Sequence, residues 1–196
     1  MKLARRLGSF LASVAMLLGC VRPGFVDTTV NGLTNLTWFG PDIWTVAHPP
    51  DTTAWLWLRQ IVQHDSKQVL FVQLHDDVEG NDELYTNGFG WQLLKVPLPP
   101  EEDKPLTVLT MPKVEDVHLI IDSIVAANRE GKVVVFGCVH ARDRTGLIRA
   151  LLGMRMYGWT KSFAWSQMLM HGYRWELPDL DIYFAKYAAQ VTVDVN

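Results

Sequence analysis

A cysteine and an arginine stand six positions apart in the run Lys132-Val133-Val134-Val135-Phe136-Gly137-Cys138-Val139-His140-Ala141-Arg142-Asp143-Arg144-Thr145-Gly146. Residues 132–136 are apolar after Lys132 and rich in β-branched side chains, the composition of a buried strand, and Gly137 ends that run. From Thr145 onward Leu147, Ile148, Leu151 and Leu152 recur at helical spacing. The thiol therefore sits at the end of a strand and the guanidinium at the start of a helix. Such a turn is an anion cradle, because loop N–H groups and the positive end of the helix dipole converge on one point. Arg144 adds a fork for a tetrahedral oxyanion, and Cys138 lies beneath it in a field that favours the thiolate.

The elements that must hold this turn are readable around it. Asp51 is an N-cap, and residues 53–64 carry Trp55, Leu58 and Val62 on one helical face. Residues 68–74 and 91–96 read as strands, and 36–39 and 43–46 as shorter ones. His75-Asp76-Asp77 follows the first of these, a polar stretch that either faces a site at the strand's end or, more commonly for a loop, is merely solvated. Residues 83–87 predict a single helical turn closed by Gly88. Thr110 and Pro112 predict the start of a helix carrying Val117, Ile121 and Ile124 to about Gly131. Beyond the cradle, Gly158 ends one helix, Thr160 caps the next to about His171, and 178–189 give a last one with Leu180, Tyr183, Phe184 and Tyr187 inward. Strands alternating with helices imply a single α/β domain over 36–190, with a central, mostly parallel, twisted sheet flanked by helices.

At 196 residues the chain can bury a substantial core, and a net charge of −3 argues against a nucleic-acid binder. The eight tryptophans are expected in core and rim packing. The histidines show no metal-ligand spacing along the chain, so no metal and no organic cofactor are implied. Residues 1–20 read as an export signal, with a basic start (Lys2, Arg5, Arg6) and an apolar stretch over 7–18 too short to span a bilayer comfortably. It ends in Leu17-Leu18-Gly19-Cys20, which resembles a bacterial lipobox. That resemblance implies a lipid on Cys20, an exported, membrane-anchored lipoprotein and a tether over 21–35; an ordinary signal peptide cleaved nearby would instead give a periplasmic or extracellular protein, and an uncleaved segment would itself be the anchor.

Cys-x5-Arg-Thr at a strand-to-helix turn resembles the signature of the cysteine-dependent protein tyrosine and dual-specificity phosphatases. The order of strands, the Pro-rich acidic loop over 97–105 and the long helix before the motif are similar to that family over residues 40–190. The resemblance implies hydrolysis of a phosphomonoester through a phosphocysteine, on phosphotyrosine, phosphoserine or phosphothreonine in protein or on a phosphoinositide. Cys138 would be the nucleophile, Arg144 and the amides of Val139, His140, Ala141, Arg142 and Gly146 would hold the phosphate oxygens, and Thr145 would hydrogen-bond the sulfur. The family places a general acid on the preceding loop, where Asp103 is the nearest match beside Glu101 and Glu102. Asp143 is the rival, since Arg142-Asp143-Arg144-Thr145-Gly146 resembles the Lys-Asp-Arg-Thr-Gly ending of bacterial tyrosine and lipid phosphatases, and myotubularin-like and Sac-type enzymes also carry Asp before the Arg.

Two positions depart from that pattern. Gly137 stands where the family has His, and Ala141 where it has Gly, a position at which a left-handed backbone would strain alanine. His140 and Arg142 make the loop basic, which suits a polyanionic substrate or equally an acidic neighbour within the protein. The second functional expectation is accordingly a membrane-tethered module that binds phosphate or phosphoinositide with little turnover.

Overall fold

The computed structural model describes residues 27–63, 66–76, 81–99, 111–173 and 178–191. The signal segment with Cys20, the acidic loop with Glu101, Glu102 and Asp103, and Asp77 and Thr110 lie outside the described residues. A small antiparallel pair, β1 (Thr29–Val30) and β2 (Leu33–Thr34), precedes the main sheet. The sheet is built from β3 (Thr37–Gly40), β4 (Ile43–Thr45), β5 (Val69–Gln73), β6 (Gln92–Lys95) and β7 (Val133–Gly137), in the order β3-β4-β7-β5-β6. β4, β7, β5 and β6 run parallel, and β3 pairs antiparallel with β4. The helices are α1 (Thr52–Val62), α2 (Asp82–Phe89), α3 (Val114–Arg129), α4 (Asp143–Tyr157), α5 (Lys161–Met170) and α6 (Pro178–Val191). This is the expected α/β architecture with a mostly parallel sheet.

β7 lies in the middle of the sheet, and its alternation divides two cores. Val134 and Phe136 join Leu70, Val72, Ile120, Ile124, Leu147 and Leu151 on one face. Val133 and Val135 join Val69, Phe71, Trp55, Leu58 and Trp91 on the other. Burial on both faces is why the strand reads as an unbroken apolar run rather than an alternating one. Gly137 is the last residue of that strand, paired with Gln73, and does not interrupt it. Trp55 and Trp91 pack in the core against Phe71, whereas Trp38 on the edge strand is exposed.

The caps follow ordinary chemistry. Asp51 accepts a hydrogen bond from the Ala54 amide at 2.9 Å, and the Thr160 hydroxyl accepts one from the Phe163 amide at 3.3 Å. Three boundaries differ from the sequence reading. α2 is eight residues long rather than one turn, because Gly88 meets open space inside it and the left-handed closing residue is Gly90, at φ 72°. α3 starts at Val114, with Lys113 and not Thr110 at the N-cap and Pro112 ahead of the first turn. Residues 27–35, expected within the tether over 21–35, pack on the domain: Leu33 is buried and the Ala47 amide donates to the Thr34 carbonyl at 2.9 Å.

One partly buried polar pair has a pH consequence. The Arg149 guanidinium, over the Phe39 ring, donates to the Thr45 hydroxyl at 3.3 Å and to Nε2 of His171 at 2.9 Å. Arginine only donates, so His171 must be neutral with its proton on Nδ1. Burial, and then the Arg149 charge, push His171 down from 6.5 to about 4, and burial brings Arg149 down to about 10. Between pH 6.5 and 4 the unfolded chain therefore binds a proton at His171 that the folded chain refuses, so the stability this residue contributes is lost as pH falls. His171→Gln keeps a neutral acceptor for Arg149. Urea denaturation across that range is expected to show wild type losing stability relative to His171→Gln as the solution is acidified.

Candidate active site

The cradle forms where β7 leaves the sheet. Its last carbonyls are taken by its neighbours: Val46 N–H donates to the Phe136 carbonyl at 3.2 Å, Leu74 N–H to that of Gly137 at 2.9 Å and His48 N–H to that of Cys138 at 3.1 Å. The chain after β4 thus extends the ladder along one side of the loop, and the end of β5 flanks the other. Pro49 and Pro50 follow His48 and keep that segment extended. The close ladder also explains Gly137. A Cβ there would lie 1.9 Å from the Val46 carbonyl oxygen, so no side chain fits. The residue that reads as a departure in the sequence is a requirement of this backbone.

Cys138 is a buried free thiol. The Thr145 hydroxyl accepts from the Cys138 amide at 3.0 Å and donates to Sγ at 3.1 Å, as the sequence predicts for that threonine. Its single proton is committed to the sulfur, which is placed as an acceptor. Thr145 belongs to the first turn of α4, whose first intrahelical bond runs from Gly146 N–H to the Arg142 carbonyl at 2.6 Å. Arg142 makes no side-chain cap to this turn, and the first amides of an α-helix have no intrahelical acceptor. Arg144 Nη1 donates to the carbonyls of Leu98 at 3.1 Å and Leu74 at 3.5 Å, which fixes the guanidinium against the segments that follow β6 and β5. Cys138 and Thr145 are in direct contact, and Arg144 and Gly146 flank Thr145 in the first turn of α4. Val139 and His140 are exposed on the loop, while Ala141 and Asp143 are buried.

Ala141 has φ 53°, the left-handed region that strains a residue with a Cβ. The loop is held in this shape from outside by residues the sequence reading did not single out. Asn35 Nδ2 donates to the His140 carbonyl at 2.9 Å and to Asp27 Oδ1 at 2.6 Å. Arg142 Nε donates to Asp27 Oδ1 at 3.0 Å, and its Nη2 pairs with Oδ2. The Arg142 hydrogen bond leads the causes that hold the Asp27 carboxyl below its ordinary range. Of the two readings of the basic loop, Arg142 follows the one in which it meets an acidic neighbour.

A third group lies behind the loop. His48 Nε2 is 2.8 Å from Asp82 Oδ1, and the His75 ring stands edge-on to the His48 ring with centroids 5.0 Å apart. His75 is buried, not solvated as expected, and Asp82 is fully buried. Ligand-type atoms of His48, His75 and Asp82 lie within 4.8 Å of one another, a grouping invisible in their spacing along the chain.

No family model and no curated protein matches this chain. Solved structures do. TpbA from P. aeruginosa is 20% identical, with a TM-score of 0.63 over 88% of this chain and 96% of that one. The catalytic core of Siw14 is 9% identical, with a TM-score of 0.64 over 82% and 88%. Tk-PTP in its active form is 16% identical, with a TM-score of 0.61 over 82% and 98%. The fold is that of the cysteine-based tyrosine phosphatases. Within this tyrosine-phosphatase-like fold the Cys-x5-Arg loop occupies the turn from the central strand into α4. A variant of TpbA has been crystallised with phosphotyrosine.

The loop geometry sets opposite expectations for its two unusual residues. Gly137→Ala is expected to lose about 3 kcal/mol of stability through overpacking against Val46. Gly137→His, though it restores the family's residue, is expected to yield no folded protein. Ala141→Gly relieves the left-handed strain and is expected to gain about 1 kcal/mol, a rise of roughly 2–4 °C in Tm. Thermal denaturation of the variants checks all three.

Proposed function

We propose that this protein is a phosphatase that hydrolyses phosphomonoesters through a phosphocysteine on Cys138. The observation that carries the reading is the Thr145 hydroxyl bridging the amide and the sulfur of Cys138 at 3.0 and 3.1 Å, at the uncapped start of a helix that carries Arg144. The loop amides and the Nε and Nη2 donors of Arg144 would hold the three equatorial oxygens, with Nη1 already committed to Leu98 and Leu74. The sulfur attacks phosphorus, an S–P bond forms and the P–O bond to the leaving group breaks. A carboxylic acid gives that oxygen its proton. Water then attacks the phosphocysteine, its proton returns to the carboxylate, and the electron pair of the broken S–P bond returns to sulfur. Thr145 donates to that sulfur as it leaves.

Asp103 and Asp143 are the two proposed acids. Asp143 stands in the first turn of α4, next to Arg144, and is buried. For substrate we propose an aryl phosphomonoester such as phosphotyrosine. Arg142, the second guanidinium of the loop, is neutralised by Asp27, which weighs against a polyanionic inositol phosphate. The phosphotyrosine-bound form of the similarly folded TpbA agrees with that preference.

The purified chain assayed on an aryl phosphate tests this. Cys138→Ser is expected to abolish turnover, and Arg144→Ala to lower kcat/KM by about 10³-fold. Of Asp103→Asn and Asp143→Asn, the one that removes the acid is expected to lose turnover and flatten the alkaline limb of the pH–rate profile. Wild type and Cys138→Ser equally inactive, while both bind inorganic phosphate, would make the protein a binding module instead.

A further inference from the structure

We propose that His48, held by buried Asp82, is a positioning residue that orders the Cys138 loop from the segment following β4, in place of a histidine at position 137. The inference rests on the phosphatase reading of the loop and concerns residues outside it.

Three observations meet at His48. Its N–H donates to the carbonyl of Cys138 itself, at 3.1 Å. It is the last amide of the segment that continues β4 along the loop, because Pro49 and Pro50 have no N–H to give. Its side chain is tied by Nε2 to Oδ1 of Asp82 at 2.8 Å, at the first residue of α2. Asp82 has no exposed surface, and its Oδ2 has no hydrogen-bond partner among the described residues. A carboxylate so removed from water holds its one hydrogen-bonded histidine tightly, since separating them would strand a buried charge. The tie therefore runs from α2 through Asp82 and His48 to the Cys138 carbonyl, with the His75 ring packed edge-on against His48 at 5.0 Å.

The need for such a tie follows from Gly137. The Val46 carbonyl approaches so closely that position 137 admits no side chain, so a histidine cannot order the loop from there. The segment that excludes it, residues 46–48, delivers a replacement donor two residues later. A divalent ion in the cluster fits less well. His48 and Asp82 already use ligand atoms on each other, and the 4.8 Å spread exceeds the roughly 3.3 Å between ligands around tetrahedral zinc.

The test uses the full chain and the variants His48→Ala, His48→Gln and Asp82→Asn, the last two keeping a hydrogen bond at this point. Two quantities are measured: kcat/KM on an aryl phosphate, and the concentration of inorganic phosphate that half-protects Cys138 from iodoacetamide, read by peptide mass spectrometry. His48→Ala is expected to lower kcat/KM by about 10- to 100-fold and to raise the half-protecting phosphate concentration by about tenfold, with both largely restored in His48→Gln and Asp82→Asn. A folded His48→Ala with both values within about twofold of wild type would overturn the proposal. Should His48→Ala fail to fold, His48→Gln decides, and a loss of about tenfold or more there overturns it. Should wild type show no turnover, the phosphatase reading falls and the phosphate protection alone decides the role of His48. A stoichiometric divalent ion whose removal by a chelator reproduces the His48→Ala loss would assign the cluster to metal binding and overturn the positioning role.

Discussion

One hydroxyl group holds the site together. Thr145 is the third residue of α4, yet its oxygen accepts from the backbone of Cys138 and its proton goes to the sulfur of the same residue. Two ends of a tight turn are closed by a single side chain, and the turn is small because a strand must become a helix between Gly137 and Asp143. That closure ties the first turn of the helix to the thiol, and within the turn the Ala141 amide donates to the Cys138 carbonyl at 3.4 Å. An alanine at position 145 would leave a buried sulfur and a buried amide without this partner.

The closure is costly to the backbone, and the surrounding fold absorbs the cost. Ala141 sits in the left-handed region at φ 53°, a conformation worth roughly 1–2 kcal/mol of strain for a residue with a side chain. Contacts from well outside the motif over-determine the loop. Asn35 and Asp27 grip it at His140 and Arg142, while Val46, His48 and Leu74 take the carbonyls beneath it. The small β1–β2 pair thereby belongs to the site as much as to the fold, since it positions Asn35. Arg144 is fixed the same way, through the carbonyls of Leu74 and Leu98 in the segments that follow β5 and β6. The carboxyl ends of the strands in a parallel sheet are the natural place for such a site, because the helices that follow begin there with their free N–H groups.

What could be read from the sequence was what is local. The β-branched run before Gly137, the Cys-x5-Arg-Thr spacing, the Thr145–sulfur bond and the caps at Asp51 and Thr160 all depend on residues within a turn or two of one another. The supports were hidden because they are distant along the chain. Asn35 and His140 are 105 residues apart, Asp27 and Arg142 115, and His48 and Asp82 34. No pattern of periodicity or spacing encodes those pairs; only the order β3-β4-β7-β5-β6 brings them together. Gly137 shows the limit most clearly. In the sequence it is a missing histidine and a weakness, and in the fold it is the residue that lets Val46 pass. The packing of residues 27–35 on the domain was missed for the same reason, since nothing local marks them as pinned to a loop more than a hundred residues away.

The account stands on covalent chemistry at one atom, so a trapped intermediate tests it most directly. Wild-type protein mixed with excess aryl phosphate, quenched in acid on the millisecond scale and digested, is read by peptide mass spectrometry. A phosphoryl group on the peptide at Cys138, reaching a steady level during turnover and absent from Cys138→Ser, is the predicted result. Turnover with no phosphoryl group on Cys138, or with the group on another residue, would contradict the account.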